Sequence, residues 1–212
     1  MNQESAEPWK DLCIKDRCGE IWLYVENYPY KVSNHGRVKR IYKKSERILK
    51  QRFNCKAVKG NSKHRGRLFV RLSKNNKQKA CYVHRLVLLA FKPRNHPLQQ
   101  VCDHISIAQN VFGRPTNNHL SNLRWVTRSL NNLNQHFKKG YYKHITYHTL
   151  KDGTKRSYKS YWVRVHFNGL LKFSKHFGCA EEARKSYLVN QKKIFDIEYQ
   201  RLLDIISVEG VD

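Results

Sequence analysis

The stretch from Val101 to Gln135 limits the possible folds of this chain more than any other. It begins with an apolar residue followed by the pair Asp103-His104, continues through a polar loop rich in Gly, Pro and Asn, and returns to apolar sequence at Leu123. Thr127 then stands where a helix N-cap is expected, because its side-chain oxygen can accept a backbone hydrogen bond. The pattern predicts a strand, a loop, a second strand and a helix, in that order.

Three polar side chains of this stretch are expected to meet at one point. Asp103 and His104 end the first strand, and Asn131, four residues after Thr127, lies in the first turns of the helix and faces back toward them. Carboxylate and amide oxygens suit a Mg²⁺-like ion, and two such ligands leave positions open for water and phosphate oxygens. An imidazole with an ordinary pKa near ~6.5 is about half neutral there and can take a proton from water. These residue types suit metal-assisted hydrolysis of a phosphodiester bond.

A larger set of residues carries a family resemblance. It consists of Asp103-His104, Asn117-Asn118, the run from Ser121 to Thr127, Asn131 and, upstream, VHRLVLLAF from Val83 to Phe91. This set resembles the HNH endonucleases, specifically the homing type encoded by phages and introns. One departure is the loop from Ile105 to Ser121, which is several residues longer than the short loop expected in this family.

The resemblance implies a fold and a set of roles. The fold is a ββα-metal (His-Me finger) nuclease core with His104 as the general base. Asn122 is the middle residue that holds the base and the two-strand hairpin in place. Asp103 and Asn131 become the ligands of one Mg²⁺ or Mn²⁺ ion per active site, and the last histidine of the family name is an asparagine here.

The net charge indicates which kind of molecule the chain binds. The chain has 42 Lys and Arg against 16 Asp and Glu, a formal charge of +26 that would repel itself unless a polyanion neutralised it. Nucleic acid is therefore the expected partner. A membrane surface is the alternative, but the longest apolar run, Leu86 to Phe91, is too short to span a bilayer, and no basic amphipathic helix dominates.

The segment from Glu20 to Ile41 predicts short strands. Apolar and polar residues alternate around a break at Pro29 and a Ser-Asn-His-Gly turn, in which Gly36 is expected to take a positive φ. The segment is similar to the small nuclease-associated modular motif found ahead of homing-type HNH domains. That similarity implies DNA contact by Asn34, Arg37, Lys39 and Arg40. A solvated basic turn is the alternative.

The region between this motif and Val101 is read as a loop, a hairpin and a helix. The basic, turn-rich stretch from Lys43 to Arg65 predicts a linker, and alternation after Gly66 predicts a hairpin that turns at Asn75-Asn76. A helix from His84 to Phe91 follows. A role for His84 in packing or phosphate contact is favoured over catalysis.

The last third predicts three strands and a helix. The strands are Tyr142 to Thr149, Tyr161 to Phe167 and Leu170 to Phe177, and Asn168-Gly169 is a strong hairpin signal. Helical spacing runs from Ala180 to about Ile206. This arrangement resembles the plant APETALA2-type DNA-binding domain, with a plain solvated sheet as the alternative. The residues assigned to DNA contact are Trp162, Arg164, His166, Lys172 and Lys175 here, Lys138 and Lys139 in the connector, and Arg124 in the nuclease core.

Together these features predict an α+β chain with a nuclease core between two small DNA-binding modules. Residues 1–60 form the N-terminal motif and linker, 61–139 the HNH core, and 140–212 the APETALA2-like domain. The predicted function is a site-specific, homing-type DNA endonuclease with one divalent metal ion and a histidine base. A non-catalytic DNA-binding protein derived from such a nuclease, and an RNA-binding protein, are the alternatives.

The sequence also leads to expectations about location and assembly. The N-terminus has neither a basic start nor an apolar stretch, so no signal peptide is expected, and six cysteines without a CxxC pair suit reduced thiols. We therefore expect a cytoplasmic protein, in the host cell if a phage encodes it. The sequence has no coiled-coil pattern that would favour a dimer. A monomer with one active site would nick one strand of double-stranded DNA.

Overall fold

The computed structural model describes residues 16–53, 67–105, 117–134 and 139–209. Contacts divide these residues into two compact units. The first lies within Met1–Asn95 and Cys102–Trp125, and the second within His96–Val101 and Val126–Asp212. Lys138, one of the predicted DNA contacts, lies outside the described residues.

The N-terminal motif forms the first sheet of the first unit. Gly36 has the predicted positive φ, +80°, in the turn between the second and third strands. Neighbouring strands are antiparallel, and the sheet order follows the chain: β1 (Trp22–Tyr24), β2 (Tyr30–Ser33), β3 (Val38–Ile41) and β4 (Glu46–Ile48).

A second sheet and a helix follow in the same unit. The elements are β5 (Arg52–Phe53), β6 (Leu68–Lys74), β7 (Lys77–Tyr82) and α1 (Val83–Phe91). Leu68, Val70 and Leu72 alternate along β6 and are buried on one of its faces. Asn75 and Asn76 both have positive φ, 49° and 57°, which a tight hairpin turn requires.

The predicted loop from Lys43 to Arg65 is wrong in part, because it contains β4 and β5. Lys39 of β3 pairs with Ile48, and Phe53 pairs with Leu68 of β6. These residues are extended because neighbouring strands offer them hydrogen-bond partners, and that long-range effect is not visible in a basic, turn-rich composition.

The central stretch has the predicted order of elements. β8 (Val101–His104) and β9 (Leu123–Val126) form a two-stranded sheet, a 3₁₀ turn (Leu120–Asn122) leads into β9, and α2 (Arg128–Leu133) follows it. Thr127 is the N-cap of α2, because its hydroxyl oxygen accepts the Leu130 N–H at 3.2 Å. The two strands and the helix are therefore confirmed in the predicted order, while residues 106–116 of the predicted loop lie outside the described residues.

One hydrophobic cluster holds the first unit together. It joins Val32 and Val38 of the N-terminal motif to Val70 of β6, Val87 of α1 and Leu123 of β9, all of them almost completely buried. The predicted boundary after residue 60 thus falls between residues that share one core. The division of the chain into three functional modules remains a prediction.

The second unit contains the predicted three-stranded sheet and helix. Its elements are β10 (Tyr141–Thr149), β11 (Lys155–Phe167), β12 (Leu170–Phe177) and α3 (Ala180–Glu209), with β11 central in the sheet. The turn between β11 and β12 is formed by Asn168 and Gly169, both at positive φ. The observed architecture, several small sheets with few helices, confirms the α+β prediction.

The short helix α2 belongs to the core of the second unit. Leu130 and Leu133 of α2 are buried in one cluster with Val163 of β11 and Tyr187 of α3. The side-chain amide of Gln191 on α3 also donates a hydrogen bond to the Leu133 carbonyl. The position of α2, which carries Asn131, is therefore fixed by the C-terminal sheet and helix.

In the described part of the chain, no helix combines the length and apolar character needed to cross a bilayer.

A buried ion pair fixes the start of the N-terminal motif. Both oxygens of the Glu20 carboxylate accept hydrogen bonds from Arg37, one from Nε at 2.9 Å and one from the terminal nitrogen. Burial alone would raise the pKa of Glu20, but the bonds from Arg37 and from the Arg17 N–H lower it to about 2. The charged form of Glu20 is therefore favoured in the folded state.

This ion pair predicts a loss of stability in acid. Because the pKa of Glu20 is lower in the folded than in the unfolded state, its contribution is complete above about pH 4.5 and is lost as the pH falls toward 2. Glu20→Gln should cost on the order of 1 kcal/mol at pH 7, and less at pH 3. Urea unfolding followed by tryptophan fluorescence measures both values. Glu26→Gln, at an exposed position, is the control, and an equal cost at both pH values would contradict the assignment.

Candidate active site

The hairpin of β8 and β9 is held at its loop end by Asn122. The Ile105 N–H donates to the Asn122 carbonyl at 2.9 Å, and the Asn122 side-chain amide donates to the Asn117 carbonyl at 2.9 Å. Asn122 thus bridges the two sides of the hairpin just beyond Asp103 and His104. Both of these residues are buried at the end of β8.

The orientation of the His104 ring is set by Asn118. Nε2 of His104 lies 3.0 Å from Oδ1 of Asn118. Because an amide oxygen only accepts hydrogen bonds, Nε2 carries the proton, and in the neutral ring the lone pair is on Nδ1. Asn118 is itself buried. The sequence pattern placed Asn118 in the motif, but its bond to the predicted base depends on the folded loop.

The His104 ring is neutral throughout the physiological pH range. Burial lowers its pKa to about 4. The positive charge of Arg67 also lowers this pKa, whereas the hydrogen bond to Asn118 raises it. The expectation of a half-protonated imidazole near pH 6.5 is therefore wrong, because it takes no account of burial. A neutral imidazole is the form that can accept a proton from water.

Two guanidinium groups act on Asp103. Arg124 Nε donates to Asp103 Oδ2 at 3.1 Å, and both side chains are largely buried. Arg67, immediately before β6, also interacts electrostatically with Asp103; burial lowers the pKa of Arg67 and the Asp103 charge raises it. Arg67 was not among the predicted site residues. The Asp103 carboxylate therefore lies in a positively charged environment, which is suited to a phosphate group.

His84 packs directly against the predicted base. Its ring centroid is 5.2 Å from that of His104, and the ring of Tyr82 lies on it at 5.6 Å. Burial, followed by the charges of His104, Arg67 and Arg85, lowers the pKa of His84 to about 3. His84 is therefore neutral, and its observed role is to form part of the wall beside His104.

Asn131 belongs to the second unit, so its pairing with Asp103 in one metal site stays a prediction. It lies on α2, where its backbone N–H donates to the Thr127 carbonyl at 3.0 Å. Among the residues that the model describes, no group of three or more His, Cys, Asp or Glu side chains could hold a metal ion. The donor chemistry fits a hard divalent cation only if Asp103 is joined by amide, water or phosphate oxygens.

The four predicted DNA contacts of the N-terminal motif make contacts within the motif. Arg37 is bound to Glu20, and Lys39 pairs with Glu46 at 2.7 Å. The Arg40 guanidinium lies over the ring of Tyr42, 4.9 Å from its centroid. The Asn34 side chain accepts the Ile21 N–H at 2.8 Å and donates to the Gly19 carbonyl at 3.0 Å. Their contact with DNA remains a prediction.

The predicted contacts of the C-terminal sheet divide between its two faces. Trp162, Arg164 and His166 alternate with the buried Val163 and Val165, so they share the face directed away from α3. The Arg164 guanidinium stacks 3.1 Å from the centroid of the Trp162 ring. This face is therefore aromatic, basic and open.

The lysines of β12 and of the connector lie elsewhere in the second unit. Lys172 pairs with Glu198 of α3 at 3.1 Å. Lys175 is in register with Val163, on the α3 side, and lies over the Phe177 ring. Lys139 is exposed beside Tyr141, 4.7 Å from the ring centroid. Whether these lysines contact DNA remains a prediction.

Comparison with known proteins shows what the chain is similar to. Residues 20–73, from the first sheet into β6, match the family model of the NUMOD4 motif. An uncharacterised HNH endonuclease of Acanthamoeba polyphaga mimivirus is 27% identical over 161 residues, which are 76% of this chain and 35% of that protein. Over most of its length the chain is therefore similar to one HNH endonuclease, and its residues 20–73 match a NUMOD4 motif, in agreement with the two resemblances found in the sequence. It spans about a third of the length of the viral relative.

A solved structure is also similar. It concerns DNA binding and cleavage by the HNH homing endonuclease I-HmuI, with 28% sequence identity and a TM-score of 0.41. The match covers 65% of this chain and 77% of that one. The resemblance of residues 140–212 to an APETALA2-type domain stays a prediction.

Proposed function

We propose that the protein is a metal-dependent, site-specific DNA endonuclease of the HNH homing type. The observation that carries the proposal is the pair of buried residues at the end of β8: His104, oriented by Asn118, directly follows Asp103, which is paired with Arg124. A relative that is an HNH endonuclease, and the NUMOD4 motif, support the same function.

Each residue of the site has a defined task in this proposal. His104 takes a proton through Nδ1 from the water that attacks phosphorus, because Nε2–H is engaged by Asn118. Asp103 and Asn131 would hold one Mg²⁺ or Mn²⁺ ion. When bound, that ion would neutralise charge on the scissile phosphate and on the leaving oxygen. Arg67 and Arg124 add positive charge around Asp103, which favours the approach of an anionic backbone.

Duplex DNA is the proposed substrate, bound in part by the open face of the C-terminal sheet. This face carries Trp162, Arg164 and His166, which offer aromatic surface and hydrogen-bond donors. One His104–Asp103 pair per chain means that a monomer would nick one strand at a time. We place the protein in the cytoplasm, where host DNA is accessible if the gene is carried by a phage.

The proposed function is tested by exposing the purified chain to a supercoiled plasmid library with randomised inserts, in Mg²⁺ or in EDTA. Nicked circles should form only with the metal, and mapped ends should share a flanking sequence. Intact plasmid with both Mg²⁺ and Mn²⁺ would favour the second candidate, a non-catalytic DNA-binding protein, for which the Arg124–Asp103 ion pair is the supporting observation. Linear product without a nicked precursor would contradict nicking by a monomer.

Arg164 should contribute to sequence preference more than to general affinity. Its guanidinium is stacked on Trp162 and can present two donors to a guanine edge. Arg164→Ala should weaken binding to the cleaved sequence by about 10–100-fold and change the salt slope by less than ~1. Fluorescence anisotropy over a salt series measures both.

Arg201→Ala is the matched control for this variant, since Arg201 is an exposed arginine of α3 paired with Glu198. It should leave the sequence preference unchanged. An equal loss for all sequences in Arg164→Ala, with a slope change near ~1, would instead assign Arg164 to a phosphate.

A further inference from the structure

The turn Ser33–Gly36, here called the N-terminal turn, packs against the loop that leads into β9. The Leu120 N–H donates to the Asn34 carbonyl at 2.7 Å. The rings of His35 and His119 meet edge to face, with centroids 4.8 Å apart. A segment matched by the NUMOD4 motif is thus in contact with the loop of the candidate active site.

The closest approach is between Gly36 and Asn118. A Cβ atom on Gly36 would lie 2.7 Å from the Asn118 Cβ and 3.0 Å from its carbonyl oxygen. Gly36 also has a φ of +80°, which residues with a side chain rarely adopt. Only glycine therefore allows the backbone of the N-terminal turn to approach Asn118 this closely.

Several hydrogen bonds hold the N-terminal turn in place. The Gly36 carbonyl accepts a bond from the Gln51 side-chain amide at 2.7 Å, and the Gly36 N–H donates to the Ser33 carbonyl at 2.9 Å. The Asn34 side chain ties the turn to the Gly19 carbonyl and the Ile21 N–H. Asn118 thus lies close to the backbone of Gly36 and is also hydrogen-bonded to His104.

We propose that the N-terminal turn is a positioning element of the nuclease site: Gly36 fixes Asn118, and Asn118 holds His104 in the tautomer whose lone pair is on Nδ1. The role of His104 as base rests on the proposed function. The N-terminal motif then contributes to the rate of cleavage and not only to DNA affinity. This differs from a purely DNA-binding module, whose substitution would change affinity.

The first test separates the rate of cleavage from DNA affinity. Gly36→Ala should lower the cleavage rate at saturating DNA by about 10²-fold, because an error of about 1 Å in placing a catalytic group has an effect of that size. Its Kd for DNA should stay within about threefold of wild type. Gly153→Ala is the matched control: Gly153 has a similar φ of +82°, and no atom lies within 4 Å of a Cβ added there. An unchanged rate, or a loss explained by weaker binding, would overturn the proposal.

The second test reads the His104 ring directly and decides the proposal if Gly36→Ala does not fold. ¹⁵N NMR of histidine-labelled protein should show Nε2–H as the tautomer of His104 in wild type. Asn118→Leu should lose this preference and slow cleavage by about 10²-fold. Asn118→Asp keeps an acceptor oxygen, so it should keep the tautomer and recover most of the rate. A folded Asn118→Leu with wild-type signal and rate would overturn the proposal.

The two proposals can fail separately. The NMR signal of His104 needs no substrate, so it reports on positioning even in a protein that cleaves nothing. A wild-type chain with the Nε2–H signal and no cleavage would contradict the proposed function and support the positioning by Asn118. If wild type cleaves DNA and substitutions of Gly36 and Asn118 do not change its rate, the result would support the proposed function and contradict the positioning by Asn118.

Discussion

His104→Ala is expected to lower the rate of DNA cleavage by about 10²–10⁴-fold, the usual contribution of a general base. The neutral, buried imidazole is already in its proton-accepting form at pH 7, so its removal leaves water without a base in place. Single-turnover cleavage of a labelled duplex in Mg²⁺ measures the rate, and anisotropy measures binding. DNA affinity should change by less than about tenfold, because His104 is buried and contacts Asn118.

His96→Ala is the control for this experiment. His96 is a histidine of the second unit that pairs with Glu209 at 2.6 Å, and no role in cleavage is assigned to it. The control should cleave at the wild-type rate. If His104→Ala cleaved as fast as the control, the base would have to be another residue.

Asn131→Ala is expected to remove cleavage almost completely while DNA binding stays within about tenfold of wild type. The amide oxygen is the second protein ligand proposed for the divalent ion, and Asp103 alone offers too few oxygens to retain it. Cleavage over a range of Mg²⁺ and Mn²⁺ concentrations measures the effect. A partial recovery at high Mn²⁺ would agree with a weakened metal site.

The adjacent Asn132 provides a matched control on the same helix. Successive residues on a helix point about 100° apart, so Asn132→Ala repeats the chemical change in a different direction. Circular dichroism should show that both variants keep α2 and α3 folded. Cleavage by Asn131→Ala at the wild-type rate would mean that the metal ligands are misassigned.

Local chemistry explains the parts of the fold that were predictable. The cap at Thr127, the turn at Asn168-Gly169 and the alternation in β6 each depend on residues close together in the chain. For the same reason the order of strand, loop, strand and helix around Asp103 could be read from the sequence.

Long-range contacts explain what could not be predicted. The approach of Gly36 to Asn118, the electrostatic effect of Arg67 on Asp103 and the pairing of Arg37 with Glu20 all join segments that only the folded chain brings together. The low pKa of His104 follows from burial, which a motif does not report. A basic residue in a DNA-binding motif can equally form an ion pair with another residue of the protein.

The central claim is that Asp103 belongs to a metal-dependent site that cuts DNA. Its most direct test compares wild type and Asp103→Ala on one duplex carrying a mapped cleavage site, with the cleavage rate and the Kd measured in the same Mg²⁺ buffer. We predict that wild type cleaves, that Asp103→Ala shows no cleavage above background, and that the two bind within about tenfold of each other. Cleavage by Asp103→Ala at the wild-type rate would contradict the account.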